Sequence, residues 1–109
     1  MRWTKFAAPH LSDARCVALR ERLLLLGGFG HTSSAGLRLH EAPLRYGAAS
    51  APELEWRALP SGPPADRGGH AAAALAMGNS SAVVLHGGYG HGADFQGNLG
   101  DLWVMEVRE

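Results

Sequence analysis

Apolar positions in this chain come in short bursts, each closed by glycine, proline or small polar residues. Arg15–Leu19 and Arg22–Leu26 read as two strands joined tightly at Arg20-Glu21. Ala71–Met77 and Ser81–His86 read as a second such pair, with Gly78-Asn79-Ser80 as the turn between them. Leu102–Val107 is a further strand, entered through Asn98-Leu99-Gly100-Asp101. Leu37–His40 gives a weaker strand, and Leu54–Leu59 a strand that carries Trp56. No segment sustains a 3.6-residue apolar period with caps. A helix competes only at the alanine-rich stretch Ala71–Ala76, where Gly68-Gly69 and Gly78 leave it too little length.

The bursts repeat. Arg22-Leu-Leu-Leu-Leu-Gly-Gly-Phe-Gly-His31 matches Ala82-Val-Val-Leu-His-Gly-Gly-Tyr-Gly-His91 at an offset of 60, Gly27 falling on Gly87. Ser12–Arg15 pairs with Pro64–Arg67 at an offset of 52, and Trp3 with Trp56 at an offset of 53. The unequal offsets place about eight extra residues between Arg67 and Gly87, and the hairpin tip at Gly78–Ser80 is the inexpensive place to put them.

Composition changes this picture little. Fifteen glycines and six prolines suit a chain of tight turns and short strands. Ten basic residues balance ten acidic ones, with no run of Lys or Arg, so neither nucleic acid nor an anionic membrane is an expected partner. Cys16 is the only cysteine, which rules out an intramolecular disulfide and a cysteine-based zinc site. The aliphatic run Leu23–Leu26 is far short of a membrane span.

On these residues the chain resembles the Kelch repeat family. The family pattern runs Pro-x-x-Arg, a nearby His, an apolar strand ending in Gly-Gly, a strand with an aromatic residue, then a strand with Trp. The second copy follows it through Pro64, Arg67, His70, Gly87, Gly88 and Trp103; the first keeps Arg15, Gly27, Gly28 and Trp56, while Trp3 belongs to the copy before. The first copy departs in carrying Ala18 three residues after Arg15 and in having no aromatic residue in its third strand. The resemblance implies an all-β chain: a partial Kelch-type β-propeller with about two four-stranded antiparallel blades in an incomplete ring, repeat one spanning about 3–52 and repeat two about 56–109. Residues 15–59 would supply one whole blade, Trp3–Phe6 the last strand of a preceding blade, and 67–107 the first three strands of a following one. A propeller closes with about four to eight blades. The expectation is therefore a piece of a larger protein, a truncated product, or a subunit that must associate.

The motif residues have scaffold roles to play. Gly-Gly lets the chain turn sharply and a ring approach closely, Trp provides contact area between sheets, and Arg at a strand start can satisfy carbonyls or a carboxylate on the next blade. Catalytic constellations are not legible. His86 and His91 flank a flexible Gly-Gly-Tyr-Gly, no serine sits in a Gly-x-Ser-x-Gly elbow, and the glycine loops lack a P-loop Lys-Ser/Thr. Iron-dependent specifier proteins of plant defence carry a Glu-x-x-x-Asp-x-x-x-His run that this chain lacks, and Cys16, Tyr46 and Tyr89 do not match the Kelch-like copper oxidases. No enzyme activity, cofactor or metal is expected.

The remaining candidate is the loop face. The family resemblance puts the second-to-third-strand loops (Phe29–Gly36 and Tyr89–Asn98) and the entry loops (Ala7–Ala14 and Pro60–Asp66) on one side. Phe29, His31, Tyr89, His91, Asp94 and Phe95 are the side chains there suited to a protein partner, Phe29 and Tyr89 having inward packing as the alternative. The reading is a non-catalytic protein–protein interaction module in the cytoplasm or nucleus. Its alternatives are a docking segment of a larger Kelch-containing enzyme and a small self-associating repeat protein, with further blades supplied in cis or by other copies.

Overall fold

The computed structural model describes residues 1, 3, 5–30, 34, 36–43, 54–91 and 96–108, with the backbone alone for residue 91. The described residues form ten strands and no helix: β1 (Arg15–Ala18), β2 (Arg22–Leu26), β3 (Leu37–Pro43), β4 (Arg57–Gly62), β5 (Arg67–Gly68), β6 (Ala71–Met77), β7 (Ser80–His86), β8 (Tyr89–His91), β9 (Gln96–Asn98) and β10 (Leu102–Arg108). None of these residues therefore belongs to a helix long and apolar enough to cross a membrane. The chain is all-β. Alanine notwithstanding, 71–77 is extended, because it pairs along its whole length with β7 from Ala71↔His86 to Met77↔Ser80.

Three antiparallel sheets result: β1-β2-β3-β4, β6-β7-β10, and the small β5-β8-β9. The four strands anticipated within 15–59 are present, although the fourth begins at Arg57, just past Trp56. The three strands anticipated within 67–107 are β6, β7 and β10, and the small third sheet was not foreseen. Trp3, Lys5 and Phe6 lie outside any strand, against the expectation of a strand there; β1 is flanked in its sheet by β2 alone, so no strand of the first sheet pairs with them.

Period-two alternation sorts the first two sheets into faces. In the first sheet Val17, Leu24, Leu26, Leu37 and Leu39 point to one face; in the second, Val83, Leu85, Met105 and Val107 do. These residues form one apolar cluster, with Leu59 and Ala72 packed against it. The two sheets thus bury their faces against each other and share a single core. At one end the filling is incomplete: an apolar cavity of about 250 Å³ lies between Leu26, Leu37 and Leu39 on one side and Leu85, Trp103 and Met105 on the other.

The strand registers give the true correspondence between the two copies. Gly27 and Gly87 have φ of 68° and 72°, and Gly28 and Gly88 have φ of 98° and 95°, so the double glycine makes the same left-handed turn twice. Gly27 N–H donates to Arg38 O and Gly87 N–H to Asp101 O, which equates Arg38 with Asp101. Arg15 pairs with Leu26 and Ala71 with His86, so Arg15 corresponds to Ala71 and not to Arg67. Ser12 bridges Phe29 as Gly68 pairs with Tyr89, which places Leu11 at the position of Arg67 and Ala14 at that of His70. Asp13 and Gly69 then coincide, and both have left-handed φ, 59° and 66°. The supposed Arg15–Arg67 match is a coincidence of residue type. On this register the second hairpin, Ala71–His86, is longer than the first, Arg15–Leu26, by two residues on each strand, its tip pairing Met77 with Ser80 where Leu19 N–H donates to Arg22 O in the first, and not by eight residues.

Candidate functional site

Arg67 explains why the second copy looks the more complete. Its side chain is wholly buried. The guanidinium donates to Ala65 O (3.0 Å), to Gly87 O (3.1 Å) and to both carboxylate oxygens of Asp101 (2.5 and 2.8 Å). Trp103 Nε1 donates to the same carboxylate at 2.6 Å. The Arg67 guanidinium holds the Asp101 carboxyl far below the usual carboxylate range, with the Trp103 bond adding to the effect. The expectation for Arg67 was carbonyls or a carboxylate on the next blade; it starts β5 of the small sheet and reaches the Ala65 and Gly87 carbonyls and Asp101, one residue before β10 of the second sheet.

The first copy has Leu11 and Arg38 at these two places and cannot form the pair. Arg38 turns to Asp66, with Nε 3.2 Å from Oδ2 and the Asp66 carboxylate fully buried. The consecutive residues Asp66 and Arg67 therefore serve the first and second sheets respectively. Between them and the glycines sits His70, 1% exposed, with its ring carbon Cε1 2.9 Å from where a Cβ on Gly27 would stand. Burial, then the charges of Arg15 and Arg67, push its imidazole down to about 4, against a smaller upward pull from the Leu26 backbone. Arg67, His70 and Gly27 thus pack against one another inside the fold.

The tryptophans fit their expected role less well. Trp56 is half-buried and donates Nε1 to Ala7 O at 3.0 Å, fastening the entry segment. Trp103 lines the inter-sheet cavity yet is 39% exposed, and Trp3 is 90% exposed and packs between no sheets.

Described residues of the entry segments and of the turns after Gly-Gly bond to one another. Ser12 and Phe29 exchange backbone hydrogen bonds (3.0 and 2.8 Å), Gly69 N–H donates to Asp13 O (3.0 Å), and Gly28 N–H donates to Arg67 O (2.7 Å). The Phe29 ring lies over Gly68, its Cε2 2.6 Å from where a Cβ would stand, so Phe29 takes the inward-packing alternative. Tyr89 is 48% exposed and pairs with Gly68 in the register, so it leaves the same face of the small sheet and presents its ring outward. His31, Asp94 and Phe95 lie outside the described residues, as does the side chain of His91. A groove bounded by Pro9, His10, Leu11, Ser12, Phe29 and Gly30 opens here, and sequence reasoning did not single out His10. A second groove beside it is lined by Arg38 and His40. Burial, then the adjacent Arg38 charge, lowers the His40 pKa.

Comparison of the chain with protein-family models, curated proteins and solved structures gave no match. Fold and local geometry alone define the class: an all-β protein of antiparallel sheets whose two larger sheets are successive copies of one hairpin-based unit.

Proposed function

We propose that this chain is a non-catalytic interaction module of the Kelch β-propeller type, its two larger sheets being adjacent blades and its loop face the surface that takes a protein partner. The observation that carries the reading is the double correspondence of sequence and register. The Gly-Gly turns, the bridge after them and the backbone bond from the first glycine recur at fixed places in both sheets. The loop face supports the binding role because backbone hydrogen bonds hold Ser12, Asp13, Gly28 and Phe29 in place while Tyr89 and His10 face outward. An exposed tyrosine on a rigid strand is a low-entropy contact of the kind that anchors protein interfaces.

The test is capture of partners from matched lysate by the purified chain, compared with Tyr89→Ala and His10→Ala variants of unchanged far-UV circular dichroism. The proposal expects at least one bound protein that either variant loses. Binding that neither variant alters, or none at all, places the function elsewhere.

A further inference from the structure

We draw no further inference here: the strongest candidate, the apolar cavity of about 250 Å³ between the two larger sheets, is bounded on one side by Trp103 and Val104 of the edge strand β10, and nothing in the structure shows what covers it.

Discussion

The Arg67–Asp101 pair makes an asymmetric prediction. Arg67 is wholly buried, whereas the Asp101 side chain keeps 36% of its surface. Removing the carboxylate by Asp101→Ala leaves a buried guanidinium with no counter-charge, and breaking a buried pair in that sense costs about 3–5 kcal/mol. Removing the guanidinium by Arg67→Met leaves a carboxylate that water can reach and that Trp103 still serves. What is lost there is the donor to Ala65 O and Gly87 O, about 1–3 kcal/mol for groups left short of a partner. The removal of the apparently more important buried residue should therefore be the milder change. The double variant should be no less stable than Arg67→Met plus about 1 kcal/mol, because it leaves no buried charge to strand. Urea denaturation followed by far-UV circular dichroism gives all three values, with a constant slope required for comparison. Against a typical domain stability of roughly 5–15 kcal/mol, the Asp101→Ala loss is large enough to read without ambiguity. If Arg67→Met proves the costlier of the two, the argument from burial is refuted.

Three further outcomes follow from the geometry. Gly27→Ala should cost about 2–4 kcal/mol, as left-handed strain adds to a clash with His70 and the Arg67 carbonyl, while Gly78→Ala, at φ 60° with nothing within 4 Å, should cost only about 1 kcal/mol; thermal melts decide. Asp13→Val should be less stable than Asp13→Gly by about 1–2 kcal/mol, since φ of 59° excludes a β-branched residue; the same melts apply. Acid should destabilise the fold in a defined window. The folded-state pKa of His70, about 4, lies below its ordinary 6.5, so the unfolded chain takes up that proton first; stability present above 6.5 falls by roughly 3 kcal/mol as pH drops to 4. Asp101 and Glu41 are also held low, Glu41 first by its hydrogen bond from Arg57, and they extend the loss through the carboxylate range. A His70→Phe variant with an unchanged pH–stability slope between 6.5 and 4 would refute the assignment to His70.

The strands of the two larger sheets were legible because each is a short apolar burst ended by a residue that cannot continue it. The double glycine was legible for the same reason: two left-handed turns in succession demand glycine. Arg15 misled because matching side chains were compared where matching backbone positions were needed. Only the Arg15–Leu26 and Ala71–His86 pairs reveal the shift, and hydrogen-bond register leaves no mark on residue identity. The small sheet was invisible for a related reason. Arg67-Gly68, Tyr89–His91 and Gln96–Asn98 have no apolar alternation, so nothing in their residue pattern marks the pairing they adopt. The inward packing of Phe29 depends on Gly68, a contact between residues 39 positions apart in the chain.

Asp66 and Arg67 show why the two sheets cannot be treated as separate beads. One side chain answers Arg38 of the first sheet and the next answers Asp101 ahead of the last strand of the second. Between these side-chain contacts the backbone also alternates its allegiance: Pro64 O accepts from Leu37 N–H at 2.8 Å, and Arg67 O accepts from Gly28 N–H at 2.7 Å. A stretch that sequence alone marks as a Pro-rich connection is therefore hydrogen-bonded to the first sheet while it begins the second. Separating the sheets would expose Leu24, Leu26, Val83 and Leu85 together and, with Arg67 held by Asp101 on the second sheet's side, would pull the buried Asp66 away from Arg38. The apolar and ionic costs fall on one event, so the two copies, although repeats in sequence, must unfold as one unit.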